Sequence, residues 1–346
     1  MIQKCFRIFT AVLLACLLVN TAAFAGGGDR VGTSSGVQLL IPVGARYLAM
    51  SGAAAAFCEG VESIYWNPAG MAKMSNRANA MFSYMPWIAD IGVSYGAVAI
   101  EMGNIGVFGA SIKALNIGEI AVTTADKPDG TGEVFSPTYF TLTTSYAKTL
   151  TDQVSFGANI NLISERLPRA SATGLALDAG IQYKNVGGME GLLLGVVIKN
   201  VGPNMKYDGP GLYRRAQDQD SEKQISNLKI SAASFELPSQ VELALAYQTE
   251  VSDVGSVTAT YVFQNNNFQH DMNTLGGEFN FKDLAFVRAG YTMGLDMADD
   301  YEYIFGPTFG AGVHLKSGGV DFWIDYAFNQ REYFDSGNIF SVKIGF

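Results

Sequence analysis

The sequence contains few charged residues and very few cysteines and histidines. Charged residues make up 16% of its 346 positions, whereas a soluble domain usually carries about a quarter. Cys5 and Cys16 lie within the first 25 residues, so Cys58 stands alone in the rest of the chain and cannot form an internal disulfide. The sequence has no CxxC pair and no Cys/His spacing typical of a metal site. We therefore expect no disulfide framework, no metal and no cofactor.

The one long apolar run lies at the amino terminus and is typical of a secretory signal peptide. Two basic residues precede the apolar stretch Ile8 to Val19, and Ala23-Phe24-Ala25 has the small residues of a cleavage site. We predict that residues 1–25 are a signal peptide; Leu14-Ala15-Cys16 is a weaker, alternative signal for lipidation. Cleavage would change the formal charge from −9 to −11, and this acidic balance argues against nucleic acid as a partner.

Beyond the signal peptide, the sequence lacks the run of about 18 apolar residues that a membrane-spanning helix requires. It instead alternates between apolar and polar or small residues, which is the pattern of β-strands. Phe340, Val342 and Ile344, for example, alternate with Ser341 and Lys343. Fourteen such segments are predicted near 78–84, 90–100, 105–116, 138–148, 153–165, 173–184, 191–200, 239–249, 255–264, 273–282, 284–293, 305–316, 319–328 and 338–346.

The lengths and connections of these segments favour an all-β fold, a transmembrane antiparallel β-barrel of about 14 strands. Most segments have about the length that a tilted strand needs to cross a bilayer. Short connections alternate with longer ones, such as 117–137 and 201–238, as in outer-membrane barrels with short turns on one rim and long loops on the other. A soluble β-sandwich is the alternative, because it would also alternate polar and apolar faces.

The strand charges fall on the face opposite the apolar stripe. A charged side chain facing lipid is costly, by roughly 2–4 kcal/mol for Arg or Lys at mid-depth, so we expect these charges to face the lumen. The predicted lumen-facing charges are Asp178, Glu242, Glu278, Arg288, Asp321 and Asp325.

Residues 26–77 lack the strand pattern and are predicted to form a small plug, leaving 78–346 as the barrel. Gly44 to Phe57 is a run of small and apolar residues that can pack closely against a wall. The stretch SIYWNPAGM, Ser63 to Met71, follows it. Pro68 fixes its own backbone and disfavours the helical region for the residue before it, and Gly70 would allow a left-handed bend. We predict a rigid corner at Asn67, Pro68, Ala69 and Gly70.

Several stretches resemble the PorV/PorQ branch of the FadL-like outer-membrane barrels. Val43 to Ala53 followed by Ile64 to Met71 resembles the plug signature of that family. Further similar stretches are Leu175 to Tyr183 with Gly195 to Pro203, Leu237 to Tyr247, and Phe309 to the terminal Phe346. The resemblance implies a fourteen-stranded barrel in the outer membrane, surrounded by lipid and closed by a plug. It also implies that Phe346 is an insertion signal read by the barrel-insertion machinery. Plug packing is expected at Gly44, Ala45, Met50, Gly52 and Ala53.

The same resemblance implies two functions. PorV relatives handle secreted cargo proteins of a type IX pathway, and FadL relatives take up hydrophobic small molecules such as long-chain fatty acids. A purely structural role is a third alternative. Enzymatic activity is not expected, because no spacing singles out a catalytic set around His270 or His314. The acidic loop 294–304, with Asp296, Asp299, Asp300 and Glu302, is expected to be solvated rather than a calcium site.

Overall fold

A computed structural model of the chain describes residues 30–89, 91–216, 226–295 and 303–346. In the described residues, fourteen antiparallel strands form a closed barrel in which each strand pairs with its sequence neighbour and the last pairs with the first. The strands are β1 Ala78–Pro86, β2 Gly92–Glu101, β3 Val107–Asn116, β4 Thr138–Thr149, β5 Val154–Leu167, β6 Ala170–Lys184, β7 Leu192–Val201, β8 Gln240–Val251, β9 Gly255–Asn266, β10 Met272–Phe281, β11 Ala285–Gly294, β12 Phe305–Ser317, β13 Val320–Arg331 and β14 Gly337–Gly345.

The barrel confirms the predicted fold class and excludes the β-sandwich. The alternation of side chains places apolar residues outside and polar residues inside: Phe340 is 58% exposed on the outer face, whereas Lys343 is 6% exposed on the inner face. This inside–outside pattern is the one that a barrel surrounded by hydrocarbon requires, because every second residue of a strand points away from the lipid. Each of the fourteen predicted segments corresponds to one strand, with ends shifted by a few residues.

The two rims of the barrel differ as predicted. One rim, here the short-turn rim, carries brief connections that include the 3₁₀ turns Gly103–Ile105, Val186–Gly188 and Ser252–Val254. The other, the long-loop rim, carries two-stranded ladders that pair Ile120–Ala121 with Val134–Phe135, Met205–Lys206 with Ser234–Phe235, and Tyr213–Ala216 with Ser226–Lys229, and it also holds the 3₁₀ turn Pro210–Leu212. In outer-membrane barrels, short turns face the periplasm and long loops face the outside.

Residues 30–77 fill the lumen between the two rims. Arg30 at the long-loop rim donates hydrogen bonds to Asn267 and Glu236, and the segment leaves the lumen at the start of β1 on the short-turn rim. Its elements are the 3₁₀ turn Val37–Leu40, helix α1 Ala45–Leu48, the 3₁₀ turn Gly60–Glu62, helix α2 Ser63–Trp66 and the 3₁₀ turn Pro68–Lys73. No helix among the described residues is long and apolar enough to cross a membrane. We call this segment the plug.

Several predictions concern residues outside the described ranges. They are the signal peptide at 1–25, the acidic residues Asp296, Asp299, Asp300 and Glu302, and the start of the plug at 26–29.

Candidate functional site: the plug and the cavities at its two ends

Glycines on the inner face of the wall allow the plug backbone to touch the sheet. A Cβ atom built on Gly157 would lie 2.3 Å from the carbonyl carbon of Pro68, and one on Gly195 would lie 2.3 Å from the carbonyl oxygen of Ala55. The described wall has eight inner-face glycines in such close contact with the plug: Gly109, Gly157, Gly180, Gly195, Gly276, Gly290, Gly310 and Gly345. Real Cβ atoms do not approach other atoms so closely. The plug can therefore pack against the wall in this position only because these residues have no side chain.

Asn67 connects the predicted corner both to the plug and to the wall. Its side-chain oxygen accepts a hydrogen bond from the amide of Ala69 (3.2 Å), which caps the following 3₁₀ turn. Its side-chain nitrogen donates to the carbonyl oxygens of Ala55 in the plug (2.8 Å) and Ile181 in β6 (3.2 Å). Asn67 is fully buried, so these bonds satisfy polar groups that have no access to bulk water.

The role of Gly70 differs from the expected left-handed bend. Gly70 lies in the right-handed 3₁₀ turn that begins at Pro68, and it has no positive φ. A Cβ at this position would lie 2.1 Å from the carbonyl oxygen of Cys58. The residue is therefore a glycine because two plug segments approach each other closely there, rather than because the backbone needs unusual angles.

The residues predicted for plug packing lie in the part of the plug that runs from Gly44, just before α1, to Ala53, the first of four consecutive alanines. Ala45, Met50 and Ala53 are fully buried. Gly44 (φ 81°) and Gly52 (φ 88°) have left-handed backbone conformations that favour glycine. A Cβ on Gly52 would also lie 2.8 Å from the Trp66 ring, so this position has two reasons to be glycine.

Charged groups of the plug and wall form a buried cluster. Lys343 of β14 donates to Glu62 of the plug at 2.9 Å, and Arg46 of α1 lies 3.5 Å from Glu278 of β10. Arg288 of β11 donates to both Glu278 (2.6 Å) and Asp325 (2.5 Å). Burial alone would raise the pKa of the Glu62 carboxyl, but Lys343 and Arg46 outweigh it and hold the pKa below its ordinary value.

The structure thus brings three of the six predicted charges, Glu278, Arg288 and Asp325, into one cluster and leaves the other three apart. Asp178 accepts hydrogen bonds from Asn159 and Asn161. Glu242 pairs with Lys199 at 2.7 Å. Asp321 accepts hydrogen bonds from Asn76 (2.7 Å) and contacts His314 (2.9 Å). The plug partners Arg46 and Glu62 were missed by sequence reasoning, because the plug has no strand alternation from which a facing direction could be inferred.

A cavity of about 540 Å³ opens above the plug at the long-loop rim. Its lining is rich in aromatic and aliphatic side chains, with the Lys199–Glu242 ion pair at its polar side. The aromatic lining consists of Tyr65, Trp66, Trp87, Tyr139, Phe268, Tyr303 and Phe305. We call it the long-loop cavity. A second cavity, of about 490 Å³, lies below the plug at the short-turn rim and is called the short-turn cavity.

The terminal residue Phe346 completes the closure of the barrel. Its amide donates to the carbonyl of Ala78 at 2.9 Å, and its carbonyl accepts from the amide of Ala78 at 3.2 Å. The Phe346 side chain is 57% exposed. The residue predicted as the insertion signal therefore lies at the short-turn rim, where the first and last strands meet.

The fold is that of FadL-like outer-membrane channels. It is similar to the CymD monoaromatic hydrocarbon channel (TM-score 0.53, 13% identity, 88% of this chain and 97% of that chain). It is also similar to the toluene transporter TodX of Pseudomonas putida (TM-score 0.53, 12% identity, 86% and 96%). A FadL homologue of Pseudomonas aeruginosa gives a TM-score of 0.50 at 13% identity, over 88% of this chain and 98% of that chain. These identities establish a shared fold only.

The family follows from the sequence match. Residues 25–233 match the family described as type IX secretion system protein PorV, and the chain belongs to that family. No curated protein matches the chain in sequence. The match confirms the resemblance found in the sequence. The barrel fold and the PorV family match together indicate that the protein lies in the outer membrane.

Proposed function

We propose that the protein binds secreted cargo of a type IX pathway at its long-loop rim and acts without catalysing a reaction. Membership of the PorV family supports the pathway. The plug supports the location: its backbone contacts the wall at Gly157, Gly195 and Gly290, so the lumen has no room for a folded protein. Cargo must therefore bind at a rim of the barrel rather than inside it, and the long loops make the long-loop rim the larger surface. We also propose that residues 1–25 are cleaved on export and that Phe346 is read during barrel insertion.

Apolar side chains on the long loops provide a surface for such a partner. Leu228, Ile230 and Phe235 are each at least 41% exposed in the loop between β7 and β8. Because this loop belongs to the long-loop rim, its side chains project outside the membrane and are not covered by lipid. Exposed apolar residues that lipid does not cover are candidates for contact with a protein partner.

We predict that the double substitution Leu228→Ser and Ile230→Ser lowers the recovery of cargo at least tenfold. Losing two buried aliphatic contacts costs roughly 2–4 kcal/mol, which corresponds to a tenfold or larger change in affinity. The measurement is the amount of secreted cargo or surface attachment enzyme that co-purifies from detergent-solubilised outer membranes. Ile105→Ser is the matched control, because Ile105 is an exposed isoleucine on the opposite rim. Failure to recover any cargo with the unaltered protein would overturn the proposal.

A second candidate function, uptake of a hydrophobic small molecule, is favoured by the long-loop cavity. Its volume of about 540 Å³ lies within the range of roughly 300–1,000 Å³ that is usual for ligand sites, and its aromatic lining suits an apolar ligand. Native mass spectrometry of the purified protein should then detect a bound lipid or fatty acid, and deletion should slow growth on fatty acids. Absence of both effects would leave cargo binding as the only supported function.

A further inference from the structure

Both ring nitrogens of His314 face hydrogen-bond acceptors. His314 lies on the inner face of β12 near the short-turn rim and is 8% exposed. Its Nδ1 atom is 3.0 Å from the carbonyl oxygen of Asp283 in the turn between β10 and β11, and its Nε2 atom is 2.9 Å from the carboxylate of Asp321 on β13. A neutral imidazole has one N–H group, whereas the imidazolium has two. Only the protonated ring can therefore donate to both acceptors.

The turn that His314 contacts has an unfavourable backbone conformation. Lys282 (φ 52°) and Asp283 (φ 55°) both have left-handed backbones, although neither is glycine. Such a turn favours Asn-Gly or Asp-Gly, and left-handed conformations of other residues persist only where the surrounding contacts hold them. The side chains that bond to Asp283 are those of His314 and Asn280. Loss of the bond from His314 would therefore remove one of the contacts that keep this turn in place.

The second acceptor of His314 also holds the plug where the chain leaves the lumen. Asp321 accepts a hydrogen bond from the side chain of Asn76 at 2.7 Å. Asn76 in turn packs against β14, because a Cβ on Gly345 would lie 2.6 Å from its side chain. His314 and Asp321 together thus connect the β10–β11 turn, β12, β13 and the end of the plug at the short-turn rim.

Asp321 is the charged group within hydrogen-bond distance of the His314 ring. Trp323 of β13 stacks on the ring with its centroid 4.3 Å away. The other ionisable side chains around the ring are Lys316 on β12, Asp325 on β13, Lys343 on β14, Arg288 on β11, Glu278 on β10, Glu62 in the plug, and Lys282 and Asp283 in the turn. Five of these pair among themselves, Arg288 with Asp325 and Glu278, and Lys343 with Glu62. The remaining three side chains are exposed to solvent, so Asp321 dominates the charge at the ring.

We propose that His314 is a pH-sensitive latch at the short-turn rim. The protonated ring bonds to both the β10–β11 turn and Asp321. The neutral ring keeps its single N–H on Nε2, because a bond to a carboxylate is stronger than a bond to a carbonyl. Nδ1 then presents a lone pair to the carbonyl oxygen of Asp283, and the turn is released.

The sign of the pH dependence follows from the protonated form being the one that holds the turn. Histidine changes charge between about pH 5 and pH 8. The contribution of the latch to the stability of the turn is therefore present at the acidic end of this range and is lost as the pH rises. The short-turn rim faces the periplasm, so the latch responds to the pH of that compartment and does not depend on cargo.

Hydrogen–deuterium exchange of the protein in nanodiscs tests the latch. The readout is the amide of Leu284, which donates to the carbonyl of Phe281 across the turn at 2.9 Å, after correction for the intrinsic pH dependence of exchange. Protection should fall at least about fivefold between pH 5.5 and pH 8, because a hydrogen bond from a charged donor is lost. His314→Gln keeps one donor and cannot become charged, so at both pH values its turn should exchange as fast as that of the unaltered protein at pH 8. An equal fall in protection in both proteins would overturn the proposal.

A second measurement follows the proton itself and needs no change at His314. His270→Gln leaves His314 as the only histidine of the chain. This variant should keep the full pH dependence of the turn, because residue 270 lies between β9 and β10 on the opposite rim. NMR of the ring nitrogens in this variant should show two protonated nitrogens at pH 5.5 and one at pH 8. The same number of ring protons at both pH values would rule out the latch.

Discussion

Replacing Gly157 by valine should dislodge the plug corner while leaving the barrel assembled. The new Cβ would lie 2.3 Å from the carbonyl carbon of Pro68 and 2.4 Å from the amide of Ala69. The wall cannot yield, because β5 is paired along its length with β4 and β6. Overpacking a tight contact costs about 1–3 kcal/mol even when side chains can adjust. Here the new Cβ would meet two backbone atoms of the plug, which have no rotamers to change. The plug must therefore move.

Cys58 provides the readout for this displacement. It is the only cysteine after residue 25, it is fully buried, and burial raises the pKa of its thiol to about 12. The native plug should thus protect Cys58 from maleimide, because the thiolate is the reactive form. In the mature Gly157→Val protein we expect labelling at least tenfold faster, together with increased permeability to a large dye. A heat-modifiable gel band would show that the barrel remains folded.

Two further variants separate plug displacement from general damage. Gly96→Val places the same side chain on β2, where the nearest atom to the new Cβ is 3.9 Å away, and it should leave Cys58 protected. Gly70→Ala tests the corner from the plug side, because its Cβ would lie 2.1 Å from the carbonyl oxygen of Cys58. Protected Cys58 and unchanged dye permeability in both Gly157→Val and Gly70→Ala would contradict the hypothesis that this corner holds the plug against the wall.

The barrel could be predicted from the sequence because its physical constraint acts on every strand separately. Hydrocarbon outside and polar groups inside impose a period of two, and Phe340 and Lys343 obey it at the carboxyl terminus just as Leu177 and Asp178 do in β6. The same alternation of side chains between the two faces of a strand predicts that the strand charges point inward. No long-range information is needed for either prediction.

The contacts of the plug could not be predicted in the same way, because they depend on register and on residues far apart in the chain. Glu278 and Arg288 pair because they are opposite each other across β10 and β11. Glu62 and Lys343 meet although 281 positions separate them. The wall glycines did carry a signal: a glycine at an inward position leaves space for something inside the lumen. That signal predicts that the plug approaches the wall but not which plug residue does so.

The second large effect is expected at the buried ion pair between plug and wall. Lys343→Met would leave the carboxylate of Glu62 buried beside an apolar side chain, with Arg46 3.9 Å away as its nearest remaining ion-pair partner. Removing one partner of a buried pair typically costs about 3–5 kcal/mol. We expect a loss of this size in the free energy of unfolding, measured by urea titration in detergent micelles at pH 7. Lys316→Met is the matched control, because that side chain is 72% exposed and its pairing contributes at most about 1 kcal/mol.

The pH dependence of this loss identifies Glu62 as its source. In the native protein the pKa of Glu62 is held below its ordinary value of 4.5, so its contribution to stability is present above pH 4.5 and is lost as the pH falls through the lower, folded pKa. In Lys343→Met the main counter-charge is gone, so protonation of Glu62 relieves the buried charge instead of breaking a pair. The difference in stability between the two proteins should therefore shrink below about pH 4.5. Adding Glu62→Gln to Lys343→Met should recover much of the loss at pH 7, because it removes the uncompensated charge. A difference that stays constant with pH, or a double variant no more stable than Lys343→Met, would show that the lysine stabilises the plug through its packing rather than its charge.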